Sequence, residues 1–358
     1  MACSSPLYGF RHLCVDKVSG EVVPGQYTDT SETTYIEDKR YSFMKVCRAP
    51  KLATPGQIET QFSTPEARLH YFEHLSSNPN YETALIPCQS CLECRLEYSR
   101  QWANRCMLEA STSHDNWFLT LTYDDEHLPK NDNGLPTLKK ADIKKFNKDL
   151  RRYFEYHYQV NGIRFFAAGE YGDTTARPHY HGIYFNLPLN DLVFLFQKEG
   201  SAYFNSPTLD KIWNKGFVVI ADVCWDSCAY VARYVVKKQK GEGSKVYKEL
   251  DITPEFCHMS RNPGIAFDYY EQNKDKIYKN DHITIPGGDR VKPSRYYDKK
   301  YDVEDPYTLA LLKSKRINIA KTSLELQLQQ TDLDPQAYQQ VCHEVLVNKV
   351  KQLKRDQI

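Results

Sequence analysis

"RPHYHGIYF", residues 177–185, is the stretch on which the reading of the fold turns. Histidines stand at 179 and 181, and Tyr180, Ile183, Tyr184 and Phe185 are residues that favour a strand. Side chains alternate along a strand, so His179 and His181 share one face. Pro178 suits the first position of such a strand, where its missing N–H is tolerated. Two neutral imidazoles side by side can hold one metal ion or one phosphate; the plain alternative is a pair of half-exposed strand histidines.

The flanking segments extend the pattern. "WFLTLTY" (117–123), "IRFFAAG" (163–169) and "FVVIADV" (217–223) read as strands. "TLKKADIKKFNKDLRRYFEYHY" (137–158) reads as a helix with Ile143, Phe146, Leu150 and Tyr153 on one face; shorter helices are expected at 191–197 and 227–239. The resulting order, β-α-β-β-α-β-α, is an α+β, ferredoxin-like or split βαβ arrangement with one extra helix, its histidine strand inside an antiparallel sheet. In "FLTLT", Leu119 and Leu121 face a core, while alternation leaves open whether Thr120 and Thr122 border a site or decorate the strand. Three regions are expected: a Cys-rich segment at 1–110, the α+β domain at 111–245, and a basic-aromatic and helical region at 246–358 with helical patterns at 306–330 and 335–355.

Composition bounds the function classes. A formal charge of +1 gives no global argument for nucleic acid, so any such argument is local. "MACSSPLYGFRHLC" lacks the apolar region of a signal peptide and no run of about 18 apolar residues occurs, so an intracellular, non-membrane protein is expected. Four of the eleven cysteines, Cys88, Cys91, Cys94 and Cys106, spell C-x2-C-x2-C-x11-C. Such crowding suits a structural zinc in a reducing compartment, with Cys3 or Cys47 as substitute ligands; buried, inert thiols are the alternative.

Glu170 ends the strand before the histidine strand, so in a hairpin its carboxylate reaches the imidazole face; Asp173 is the competing ligand. Two imidazoles and a carboxylate with open positions suit Mg²⁺ or Mn²⁺ and leave room for phosphate oxygens. In "CAYVARYVVKK" (228–238), Tyr230 and Tyr234 lie one helical turn apart, with Lys237 three residues further on. Tyrosines so spaced are ordinarily core; beside a metal they gain a chemical reading. A phenol, with a pKa of about 10, attacks phosphorus only when its target is polarised or its proton is taken. A metal does the former and a lysine steadies the developing charge, giving a phosphotyrosine link and a free 3′-hydroxyl.

Cations mark two further segments. Residues 139–152 hold seven Lys or Arg against two Asp, with Lys144, Lys148 and Arg151 among the candidate phosphate contacts. "RVKPSRYYDKKY" interleaves Arg295 and other cations with Tyr296, Tyr297 and Tyr301, a composition suited to stacking single-stranded bases.

These motifs, "RPHYHG" after "GEYG", "FLTLTYD" upstream and "YVARYVVKK" downstream, resemble the HUH endonuclease superfamily. With "PCQSCLECRLEYSRQWANRCMLEA" and "SRYYDKKY" (294–301), the chain is similar to the replication initiators of microviruses, in their gokushovirus branch, over roughly residues 86–301. The resemblance implies a rolling-circle initiator that nicks single-stranded origin DNA in the host cytoplasm. It stays joined to the 5′ end through tyrosine, leaves a 3′-hydroxyl for a host polymerase, and later closes the displaced strand. It assigns His179, His181 and Glu170 to the metal, Tyr230 and Tyr234 as nucleophiles, and Lys237 as the assisting lysine, with Tyr234 favoured for the first cut. Tyr180 departs from the usual aliphatic middle residue of the H-x-H motif. "GEGSK" (241–245) is too short for a Walker A loop, so strand separation falls to a host helicase. The competing readings are a relaxase or transposase with the same tyrosine chemistry, a non-catalytic single-stranded-DNA-binding zinc protein, and a metal hydrolase or Fe(II) oxygenase that leaves the tyrosine helix idle.

Overall fold

The histidine segment forms a strand near the middle of a seven-stranded sheet. The computed structural model describes residues 87–89, 91–172, 175–198, 200–232, 245–285, 288–335 and 337–350 in full, and backbone alone at 7–12, 14–15, 22–23, 27–28, 35–36, 43–48, 81–86, 233–237, 336 and 351–352.

The chain divides into two units, Met1–Cys94 with Asp302–Ile358, and Arg95–Tyr301. Its early elements are β1 (Leu7–His12), β2 (Cys14–Val15), β3 (Val22–Val23), β4 (Tyr27–Thr28), β5 (Tyr35–Ile36), β6 (Phe43–Arg48), β7 (Tyr81–Ile86) and helix α1 (Leu92–Ala110). Strands β6, β1 and β7 form an antiparallel sheet in that order.

The second unit continues with β8 (Trp117–Thr122), α2 (Lys140–Tyr158), β9 (Arg164–Tyr171), β10 (Pro178–Phe185), β11 (Val193–Lys198), β12 (Ser201–Asn205), α3 (Pro207–Trp213), β13 (Val218–Asp222) and α4 (Trp225–Lys237). After these come α5 (Lys245–Glu249), β14 (Phe256–Met259), α6 (Phe267–Asn280), β15 (Ile283–Thr284), β16 (Arg290–Val291) and α7 (Arg295–Glu304). The large sheet runs β11-β12-β13-β8-β10-β9-β14, antiparallel at every pairing. In the first unit, α8 (Pro306–Leu328) and α9 (Pro335–Gln352) close the chain close to where their helical patterns are expected; Asp305 accepts the Thr308 N–H at 2.9 Å and so caps α8.

Alternation sorts the two sheet faces. Leu119, Leu121, Tyr180 and Tyr184 face α2 and α3, where Ile143, Phe146, Leu150, Phe154, Leu209 and Trp213 complete the core. Phe154, at an i+4 step from Leu150, is the fully buried member where Tyr153 is expected; Tyr153 packs only partly against the cluster. Phe118, Thr120, His179 and His181 lie on the opposite face, which α4 covers. Replacing Phe154 by alanine leaves a cavity between α2 and the sheet and is expected to cost about 3–5 kcal/mol, read as a lower denaturant midpoint at unchanged slope.

Residues 191–197 are not the expected helix. Val193–Lys198 pairs with β12 as an exposed edge hairpin, turning at Gly200 (φ +82°), and the second crossover helix comes later, at Pro207–Trp213. The Val-Phe-Leu-Phe run carries apolar residues without a 3.6 period, so β propensity and the glycine turn prevail. Ser206, whose hydroxyl accepts the Leu209 N–H at 3.2 Å, and Pro207 at the first turn supply the true helix start. Among the described residues no helix is long and apolar enough to cross a membrane.

Candidate active site

Strand β10 is bracketed by β8 and β9, and register decides what meets the histidines. His179 lies opposite Glu170 on β9 and Thr122 on β8, and His181 lies opposite Ala168 and Thr120. Both imidazoles turn Nε2 toward the same Glu170 Oε1, at 2.8 Å from His179 and 3.1 Å from His181. Their ring centroids are 4.8 Å apart. The Nδ1 atoms face away: that of His179 donates to the Arg177 carbonyl at 3.0 Å, and that of His181 shares a 2.9 Å hydrogen bond with the Thr120 hydroxyl.

This pattern calls for positive charge. A carbonyl oxygen only accepts, so Nδ1 of His179 carries its proton. Its Nε2 also faces an acceptor, the Glu170 carboxylate, and two acceptors cannot share a 2.8 Å contact unless a second proton or a cation lies between them. Neutral imidazoles with Nδ1–H anchored by outer partners and Nε2 converging beside a carboxylate are the donor set of a divalent metal site. The three ligand atoms lie within 4.8 Å of one another. Burial by itself would raise the Glu170 pKa; hydrogen bonds from His179 and His181 and their charges overturn this and hold the carboxyl well below its usual range. The side chains of Glu170 and His181 are only 3% and 5% exposed against 17% for His179, so solvent reaches the cluster from the His179 side.

Tyr230 completes the described part of the site. Its half-buried ring stands edge-on to His181 with centroids 5.1 Å apart, and Phe118, stacked on His181 at 5.5 Å, forms the wall between them. Cys228, Val231 and Ala232 bury the rest of α4. The helical backbone carries position 234 one turn beyond Tyr230 and ends at Lys237, but the side chains of Tyr234 and Lys237 lie outside the described residues, as does Asp173. Thr120, Phe118 and the Arg177 carbonyl escaped sequence reasoning as partners of the histidines. Alternation put Thr120 on the right face, but only the β8–β10 register identifies which histidine it meets.

The structure gathers Cys88, Cys91 and Cys94, whose Sγ atoms lie within 4.8 Å of one another, and the Cys91 N–H donates to Cys88 Sγ at 3.2 Å. It does not bring in Cys106, the expected fourth ligand. Twelve residues along α1 separate it from Cys94, roughly 18 Å of helix, and it is wholly buried against Cys228. The side chains of Cys3 and Cys47 lie outside the described residues.

The expected base-stacking segment is also divided. Tyr297 is fully buried and donates its hydroxyl to the Ala266 carbonyl at 2.7 Å, so its ring presents no face to a base. Tyr296 packs on the Arg105 guanidinium, 4.2 Å from its ring centroid, and Arg295 alone of the three is exposed. The segment is a helix, α7, so adjacent residues point to different sides and cannot form one platform.

Comparison with known proteins places the same region. The family described as Replication-associated protein ORF2 matches residues 116–239, the span from β8 through α4. Replication-associated protein ORF2 of Spiroplasma virus 4 is 41% identical over 246 residues, covering 67% of this chain and 75% of its own. Replication-associated protein VP4 of Bdellovibrio phage phiMH2K is 30% identical, with 70% and 78% covered, and Replication-associated protein ORF4 of Chlamydia phage 1 is 36% identical, with 56% and 50% covered. No solved structure matches. A sheet face bearing clustered imidazoles, a carboxylate and a tyrosine within the matched span, together with these likenesses, leads to one assignment: the chain belongs to the family of microvirus replication-associated proteins.

Proposed function

We propose that the chain is a rolling-circle replication initiator of the HUH type, a metal-dependent tyrosine endonuclease and strand transferase acting on single-stranded origin DNA. One observation carries the reading: the two Nε2 atoms converge on buried Glu170 while the Tyr230 ring stands beside His181. The sheet supports it too. Across the sheet, β13, β8, β10 and β9 lie side by side, which in chain order are the fourth, first, third and second, with α2 and α3 on one face, as a split βαβ unit requires.

His179, His181 and Glu170 would hold Mg²⁺ or Mn²⁺, which when bound supplies Lewis-acid polarisation of the phosphate. The phenol oxygen of Tyr230 or Tyr234 forms a bond to phosphorus as the bond from phosphorus to the 3′ oxygen breaks. The phenol proton ends on the released 3′-hydroxyl, and the 5′ side of the DNA remains joined to tyrosine. Phe118 and the core beneath it fix the Tyr230 ring, so orientation is set before substrate arrives. Lys237 offsets charge at the scissile phosphate, and a second tyrosine one turn away permits a second transfer that closes the displaced strand. A host helicase opens the duplex and a host polymerase extends the 3′-hydroxyl. Cys88, Cys91 and Cys94 are assigned to a structural zinc whose fourth ligand is other than Cys106.

The test uses oligonucleotides tiled across the origin, labelled at one end or the other, with Mn²⁺ or Mg²⁺. The 3′-labelled fragment should become protein-linked and the 5′-labelled fragment should be released free. Linkage to the opposite fragment, or cleavage without linkage, refutes the proposal.

A further inference from the structure

The strongest local charge in the second unit lies away from the histidines. On the α2 side of the sheet, toward the β14 edge, a cleft of about 950 Å³ is lined by Lys144, Lys148, Arg151 and Arg152 of α2, Arg164 of β9 and Arg261 of the loop after β14. Its lining contains a single carboxylate, Glu155. Arg164 is already paired, with Glu109. Lys144, Lys148, Arg152 and Arg261 have no carboxylate within ion-pair distance among the described residues.

Arg151 is held as a receptor group would be. Its Nε donates to the Ile163 carbonyl at 2.9 Å and one Nη to the Ser260 hydroxyl at 3.0 Å, while the guanidinium lies 4.9 Å from the centre of the Phe165 ring. All these partners are neutral, so the orientation is fixed and the charge is left uncompensated. Burial and the nearby Arg164 both lower the Arg151 pKa; burial, Lys144, Arg261 and Arg151 lower that of His258 at the same wall. Mutual repulsion among cations drawn from three separate elements is relieved by an anion in the cleft.

Spacing narrows the anion's identity. Lys144, Lys148 and Arg151/Arg152 recur every three to four residues on one side of α2, and Lys144 to Arg152 spans about 12 Å of helix, three to four rises of 3.4 Å along a DNA strand. A row of that length on a chain whose net charge is only +1 fits a polyanion better than one small anion.

We propose that this cleft is a second DNA site, gripping the sugar-phosphate backbone of origin DNA outside the segment being cut. It rests on the reading that the chain acts on DNA. Because α2 covers the sheet face opposite the histidines, the cleft holds a different stretch of strand from the one presented to Tyr230. Cutting therefore needs only a short strand, and the cleft adds affinity only for longer DNA.

The experiment compares the full chain with Lys144→Ala/Lys148→Ala/Arg152→Ala, at positions exposed and outside the core, and with the charge-keeping Lys144→Arg/Lys148→Arg/Arg152→Lys. Affinity is measured against salt for a long origin DNA and for an oligonucleotide near the lower site sizes of about 4–16 nucleotides. On long DNA, the alanine variant should reduce the slope of log K against log salt by about 2–3, from three lost contacts at about 0.7–0.9 each, and the charge-keeping variant should restore it. Binding and nicking of the short oligonucleotide should stay within about twofold of wild type, inside the few tenths of a kcal/mol normal for surface changes. An unchanged slope on long DNA, with tyrosine linkage intact, overturns the second site while sparing the nickase. Equal loss on the short oligonucleotide overturns it by assigning these cations to the cutting site. Failure of the wild type to bind any DNA overturns both readings.

Discussion

Phenylalanine at both 230 and 234 should abolish covalent attachment of DNA, a fall of at least roughly 10³-fold, while leaving the fold intact. The expectation follows from how little the change removes. Tyr230 packs edge-on against His181 and Phe118 through its ring, and a phenylalanine ring keeps both contacts, losing only the oxygen that attacks phosphorus. Removing a nucleophile leaves only the catalysis that positioning and electrostatics provide, so residual cleavage without linkage is the largest activity expected. Each single variant keeps one phenol on α4 and should retain linkage through it while losing the second transfer. Gel analysis of labelled DNA retained on denatured protein reads the result. Full linkage in the double variant would remove tyrosine from the mechanism altogether.

Alanine at 181 should be nearly as severe. His181 is tied to Glu170 on one side and Thr120 on the other, so truncation removes a ligand and frees the buried carboxylate from one of its two partners. Nicking should fall at least about 100-fold, since even outer partners of a metal ligand typically cost 10–100-fold when removed. Thr120→Val, which keeps the shape and deletes only the hydroxyl, should sit within that 10–100-fold range for Mn²⁺ affinity. A readout apart from catalysis is the stabilisation by metal, about 2.7 kcal/mol at a hundredfold excess over Kd for a ligand that binds only the folded state. Wild type should show that rise in denaturant midpoint, Thr120→Val a smaller one at the same metal concentration, and His181→Ala almost none. Nicking that survives metal chelation, or a His181→Ala chain that gains as much from Mn²⁺ as wild type, contradicts the assigned ligands.

Legibility differed from element to element for physical reasons. The histidine strand could be read because a period of two leaves no freedom: once 178–185 is extended, His179 and His181 share a face. Glu170 was legible for the same reason, since a short hairpin confines its partner positions. The Val193–Lys198 strand was not, because its continuous apolar run satisfies no single period and the decision fell to a turn at Gly200. Tyr296 and Tyr297 carried a composition compatible with base stacking, yet their burial depends on Arg105 and Ala266, residues distant in the chain. The C-x2-C-x2-C cluster survived as a local trio, while the same helix that holds Cys94 carries Cys106 away from it.

Sequence by itself therefore determined the chemistry on offer: two imidazoles on one strand face, a carboxylate on the next strand, two tyrosines on one helix and a row of cations on another. Tertiary structure alone decided that β8 supplies Thr120 to His181, that α4 sets Tyr230 against the imidazoles, and that Arg164 and Arg261 join the α2 cations at one cleft. The division follows from range. Backbone period fixes what shares a face within one element, whereas strand register and the packing of helices on a sheet bring together residues separated by tens of positions, and no local period encodes that.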